Sequence, residues 1–255
     1  MGDMKIKDWF GVNLAELLSK KISAGYPGFN DKAYIAAVRK AYSPLEYKDR
    51  LALHAIELNN HLPANYEDAL SILLDTLGPE NPEETGMFTN YWWIMPIAHY
   101  VQEYGQGSFD LSMKAIYEIT KRNTGEFAIR PYISQDPKAA LKYMKRWAKD
   151  KNFHPRRLAS EGLRPKLPWA KKLTVFLDEP QPVFDILELL KEDSSKFVQK
   201  SVGNHLNDML KERPKPTMAL LKEWAKSKHP STKWIVKHAL RNLVKQGDET
   251  ALKLI

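Results

Sequence analysis

Phe184–Leu206, FDILELLKEDSSKFVQKSVGNHL, reads as an apolar helix, a short polar link and a second helix. The same layout recurs upstream in Leu141–Leu163, LKYMKRWAKDKNFHPRRLASEGL, and downstream in Met218–Leu243, MALLKEWAKSKHPSTKWIVKHALRNL. Trp147, Leu190 and Trp224 end the first helix of each pair. In the second helices Arg157-x5-Leu163, Lys200-x5-Leu206 and Lys237-x5-Leu243 fall into register, offset by 43 and 37 residues.

A period of about 40 residues built from helix pairs is the signature of HEAT and armadillo solenoids, in which stacked pairs bury a continuous core. Equivalent helices then form one concave face, and Arg157, Lys200 and Lys237 line up on it. Helical periodicity extends through the rest of the chain. AELLSKKI, AYIAAVRKAY, EDALSILLDTL and FDILELLKE all place apolar residues at i, i+3, i+4 and i+7. Ser43-Pro44-Leu45-Glu46 reads as a capping box, Asp136-Pro137 and Gln181-Pro182 open helices, and Arg130-Pro131 and Arg164-Pro165 should close them. No run of alternating β-branched residues with hairpin turns supports a sheet. The expected fold is therefore all-α, a right-handed superhelical α-solenoid of HEAT-like helical repeats. It is expected to form one domain over residues 1–255, with Gly78–Gly86 as its most flexible loop.

The net charge of +8 is unevenly spread. Residues 1–120 carry 10 Lys and Arg against 16 Asp and Glu, whereas 121–255 carry 29 against 15. Between Leu141 and Lys172 there are 11 cations and 2 anions. Such asymmetry points to acidic N-terminal helices followed by basic repeats that face a polyanion. With no cysteine, disulfides, thiolate catalysis and Cys-ligated zinc are excluded. GxxxxGK[ST], GxGxxG, HExxH and GxSxG are all absent, so neither a metal nor a nucleotide cofactor is expected. The longest apolar run, Tyr91–Ala98, is too short for a bilayer and Met1–Lys7 does not resemble a signal peptide. These features lead us to expect a soluble, cytoplasmic, monomeric protein, nucleoid-associated through DNA.

Trp147–Ala170, WAKDKNFHPRRLASEGLRPKLPWA, is the most unusual segment. Arg157, Glu161 and Arg164 share one helix face by i, i+4, i+7 geometry, which makes Glu161 a lone acid among cations. Its plain reading is a helix salt bridge to Arg157; its functional reading is a carboxylate that meets positive charge on a ligand. Two prolines rigidify Arg164–Trp169, so Trp169 is either a core side chain between repeats or an indole held for stacking. Upstream, Glu126 with Arg130 at i+4 reads as a salt-bridged helix end. Downstream, SVGNHLND places Asn204 and Asp208 one turn apart, a polar cluster suited to bracing a neighbouring helix.

GEFAIRP (Gly125–Pro131), RRLASEGLRPKLPWA (Arg156–Ala170) and KSVGNHLND (Lys200–Asp208) together resemble motifs of the DNA alkylation repair family of HEAT-like glycosylases, closest to its AlkC-like branch. Pro155, Leu163 and Gly203 stand where the family usually has valine, threonine and alanine. Gln199 replaces a frequent arginine, which would remove one phosphate contact. Some members carry a C-terminal immunoglobulin-like domain; the chain ends at Ile255 without one, so encirclement of DNA by that domain is not expected.

The resemblance implies a monofunctional glycosylase that excises cationic alkylated bases, notably 3-methyladenine and in this branch 3-methylcytosine, from double-stranded DNA. It carries over Glu161 and Glu126 as the catalytic acids, with Trp169 and Asp208 contacting the lesion nucleotide. Arg156, Arg157, Arg164, Lys166, Lys200 and Lys237 would grip phosphates. Two other readings share parts of this pattern: a non-catalytic nucleic-acid-binding module and a protein–protein scaffold, the commonest use of α-solenoids.

Overall fold

A computed structural model describes residues 5–255, and among them every regular element is helical. The chain divides into two compact units, Met1–Pro82 with Gly86–Ala128, and Glu83–Thr85 with Ile129–Ile255. In the first unit lie α1 (Val12–Gly25), α2 (Asp31–Ala41), α3 (Tyr47–His61), α4 (Tyr66–Asp75), α5 (Met95–Tyr104) and α6 (Phe109–Thr120). The second holds α7 (Ile129–Gln135), α8 (Pro137–Trp147), α9 (Phe153–Glu161), α10 (Gln181–Leu190), α11 (Lys196–Glu212), α12 (Pro214–Ala225), α13 (Pro230–Lys245) and α14 (Glu249–Leu252). None of the described helices is long and apolar enough to cross a membrane.

The three sequence repeats are the pairs α8/α9, α10/α11 and α12/α13. Short polar caps separate their members, with Asn152 accepting from the His154 amide and Ser195 from the Val198 amide. The second helices pack side by side, α11 lying between α9 and α13. Trp147, Leu158, Leu190, Val198, Val202, Leu206, Ile235 and Leu240 fill the space between them.

Polar side chains of α11 stitch the layers together at intervals. The Asn207 amide donates to the Ala239 carbonyl at 2.7 Å, and Gln199 donates to Ser231 Oγ at 2.9 Å and to the Asp193 carbonyl at 2.7 Å. Gln199 is buried, so in this protein the position binds neighbouring helices rather than facing a phosphate.

Three local expectations change. Helix α3 begins at Tyr47, not in a capping box at Ser43. Tyr42–Leu45 instead forms a turn whose Ser43 and Leu45 carbonyls accept from the buried Arg50 guanidinium. Pro131 opens rather than closes a helix: it sits in the first turn of α7, where its missing N–H leaves nothing unpaired. The Gly78–Gly86 stretch is anchored, not loose. The Asn81 amide donates to the Lys121 carbonyl, Arg122 to the Gly78 carbonyl, and the Phe197 amide to Glu84.

If the repeat core is packed this way, Leu206→Ala costs about 2–5 kcal/mol because it leaves a cavity. Leu189→Ala, at an exposed position of α10, costs less than about 1 kcal/mol. Denaturant titrations of the two variants measure the difference; equal losses would contradict the packing.

Candidate functional site

Helix α9 carries Arg157 and Glu161 on one face, and the chain turns immediately afterwards so that Arg164 returns to the same carboxylate. Glu161 is 5% exposed. Its Oε1 accepts from Arg164 Nη1 at 2.6 Å and lies 3.6 Å from Arg157 Nη2, while Oε2 accepts from Ser201 Oγ of α11 at 2.5 Å. Arg164 then reaches across to α11, donating through Nε and Nη2 to Asp208 Oδ2 at 2.9 and 2.8 Å.

The acid is thus neither isolated nor set in an open trough. It lies in the interior, in a chain Arg157–Glu161–Arg164–Asp208 that joins two repeats. The helix salt bridge to Arg157 exists, but it is buried, so that removing either partner would leave an uncompensated charge in the interior.

The two carboxylates that share Arg164 are pushed in opposite directions. Burial alone would raise Glu161, but the charges of Arg157 and Arg164 and the bonds from Ser201 and Arg164 outweigh it and leave the group below the usual carboxylate range. For Asp208 burial wins over Arg164, and its affinity for a proton is raised. One turn before Asp208 on α11 the wholly buried His205 is held down to about 3, first by burial and then by Arg164. It is therefore neutral and donates from Nδ1 to the Ser160 carbonyl at 2.9 Å. Ser201, His205 and Asp208 share one face of α11 by i, i+4, i+7 spacing. That spacing is readable in the sequence and would have placed Ser201 and His205 beside Asp208.

After α9 the connector 162–180 is tied down by the Arg130 guanidinium, which donates to the carbonyls of Arg164 at 3.0 Å and Lys171 at 2.7 Å. Leu167 is buried, and the Leu173 amide closes back onto the Pro165 carbonyl. On this rigid base Trp169 is 55% exposed and adopts φ +65°. It does not pack the core between repeats. A non-glycine residue in the left-handed region costs about 1–3 kcal/mol and concentrates at functional sites.

Lys166, Lys200 and Lys237 are exposed, the last two at equivalent positions of α11 and α13. Arg157 lies over the Phe197 ring at 4.5 Å. Arg156 is engaged differently, with Nε and Nη2 on Asp193 at 2.6 and 3.0 Å and Nη1 on the carbonyls of Asp150 and Lys151. Those bonds make it a staple for the α8–α9 turn. Glu126 lies in the first unit, buried, its Oε2 accepting from Thr124 Oγ1 at 3.1 Å.

Two outcomes follow from the shared arginine. On acidification Asp208 takes up its proton at higher pH than Glu161, which carboxyl ¹³C NMR titration reads, with Asp208→Asn and Glu161→Gln for assignment; the reverse order would refute the assigned environments. Glu161 supports folding above the unfolded carboxylate range and loses that support as pH falls through its depressed value, whereas Asp208 acts in the opposite sense. Arg164→Met strands Asp208, leaves Glu161 with Arg157 and Ser201 alone, and costs about 3–5 kcal/mol of stability, measured by denaturation at neutral pH.

Comparison with known proteins agrees with this architecture. The family model described as DNA alkylation repair enzyme matches residues 124–243. The uncharacterized protein YhaZ of Bacillus subtilis is 37% identical over 250 residues, 98% of this chain and 67% of that one. The solved structure of Pseudomonas fluorescens alkylpurine DNA glycosylase AlkC, bound to DNA containing an abasic site analog, superposes with a TM-score of 0.89. It shares 35% identity and covers 99% of this chain and 68% of its own. Paired HEAT-like helices, the three motifs and these matches together make the chain a member of the DNA alkylation repair family, in its AlkC-like branch.

Proposed function

We propose that the protein is a monofunctional DNA glycosylase that hydrolyses the N-glycosidic bond of cationic alkylated bases, 3-methyladenine and also 3-methylcytosine, in duplex DNA. The observation that carries this reading is Glu161, held buried and anionic by Arg157, Arg164 and Ser201 beside a second carboxylate, Asp208. A base that already bears positive charge is a good leaving group and needs little general-acid help. As its bond to the sugar breaks, positive charge moves onto the deoxyribose, and a fixed negative pole stabilises that transition state.

Both oxygens of Glu161 are engaged within the protein, so its charge acts as an oriented field. The field is strong where little water intervenes. Asp208 accepts from Arg164 through Oδ2 alone, which leaves Oδ1 to orient the attacking water or contact the sugar. Glu126 is assigned an assisting role, and Trp169, exposed on a strained backbone, the stacking contact with the lesion nucleotide. Lys166, Lys200 and Lys237 hold the phosphates without reading sequence, whereas Arg157 and Arg164, engaged by Glu161 and Asp208, hold those carboxylates in place rather than DNA. Arg156, with Asp193 already on its guanidinium, contributes by shaping the α8–α9 turn.

Incubation with duplex carrying 3-methyladenine, followed by chromatography of the released base, tests the activity. Wild type releases the free base and leaves an abasic site without a covalent enzyme adduct. Glu161→Gln binds the duplex at least as well but loses about 10²–10³-fold in single-turnover rate, with a melting curve confirming that it is folded. Undiminished release by that folded variant would remove the mechanism, and DNA binding without release by wild type would leave only a binding protein.

A further inference from the structure

Several arginines of the second unit are neutralised where they stand: Arg156 by Asp193, Arg164 by Glu161 and Asp208, Arg213 by Asp178. Arg241 of α13 is oriented differently. Its Nη2 donates to Asn204 Oδ1 at 3.0 Å and its Nη1 to the His238 carbonyl at 2.5 Å, both neutral acceptors. The residue is exposed. A guanidinium aimed by neutral acceptors is an arrangement that binds an anion, because its orientation is settled in advance and no carboxylate takes up its hydrogen bonds at these two positions.

The support beneath it is elaborate for a surface position. Asn204 Oδ1 also accepts from His238 Nε2 at 3.0 Å, and the His238 ring stacks on Trp234 at 4.8 Å with 11° between planes. Lys196 Nζ covers the same indole at 4.2 Å. Gly203 makes this possible: a Cβ there would come within 2.7 Å of His238 Cδ2, so the alanine common in the family would displace the ring. His238 is held down to about 4, first by burial and then by Arg241 and Lys200, and stays neutral, adding orientation but no charge. With a partner on either side, Trp234 serves as the rigid base of the cluster.

Lys200, Asn204 and Asp208 follow one another by single turns along α11, and Lys237 and Arg241 do the same along α13. Because Arg241 is bonded to Asn204, one turn before Asp208 on α11, it stands next to the Glu161–Arg164–Asp208 chain. We propose that Arg241, aimed by Asn204 and the His238 carbonyl, is a phosphate clamp that holds the DNA phosphodiester next to the nucleotide facing Asp208. Lys200 and Lys237 flank it. This assignment rests on the DNA-binding reading above and adds to it a residue outside the three family motifs.

Fluorescence anisotropy with a duplex carrying an abasic-site analogue tests it. Arg241→Gln binds about tenfold more weakly, the loss of one charge-assisted contact, and the slope of log K against log salt falls by about one. Asn204→Ala, with charge unchanged, weakens binding by a smaller factor and leaves that slope intact. A single methylphosphonate beside the analogue weakens wild type but has little effect on Arg241→Gln, a coupling that a purely structural role would not produce. If wild type binds and Arg241→Gln matches it in affinity and slope, the clamp is overturned and the glycosylase reading stands. If wild type itself fails to bind, the reading on which the clamp rests falls instead.

Discussion

The second unit is organised around one guanidinium. Arg164 is donated by the chain just beyond α9, yet its charge is shared between Glu161 behind it and Asp208 on the neighbouring helix. Two carboxylates and two arginines in a nearly dry space are tolerable only when each is paired. The register of α9 against α11 is therefore held by electrostatics as well as by Leu158, Val202 and Leu206. The neutral, buried His205 and the Ser201 hydroxyl complete the same contact. A shift of one residue in either helix would leave a buried charge alone.

Charge density by itself is a poor guide to which cations meet a ligand. Arg156 and Arg157 are adjacent in sequence, yet one closes a turn on Asp193 and the other lies between Glu161 and the Phe197 ring. Arg241 is an ordinary helix residue by its sequence context, yet it is aimed by an amide oxygen and a backbone carbonyl. What separates them is the chemistry of the acceptor: a carboxylate consumes the charge, whereas an amide or backbone carbonyl only directs it.

The local errors share one origin. Ser43-Pro44 has the composition of a helix start, but Arg50 reaches back to bind the turn's carbonyls. Pro131 can open or close a helix, and only the path of the chain selects between them. Gly78–Gly86 has loop composition, and hydrogen bonds to residues some 40 to 110 positions away hold it in place. Gln199 looks like an arginine lost from a phosphate-binding surface until its burial against Ser231 shows a different task.

Helix pairs, their period, the helix starts at Asp136-Pro137 and Gln181-Pro182 and the charge difference between the halves were determined by the sequence alone, because each depends on spacing within one helix or on counting. The pairing of Arg157 with Glu161 was legible for the same reason, whereas Arg164, expected on the same helix face, lies past the end of α9 and meets Glu161 through the turn that follows. That Glu161 faces inward, that Asp208 shares its arginine, and that Asn204 aims Arg241 were decided only by tertiary structure. Those contacts join residues 37 to 44 positions apart, on different helices. Burial and pairing depend on which side chains of one repeat come opposite those of the next, and periodicity within a helix does not encode that.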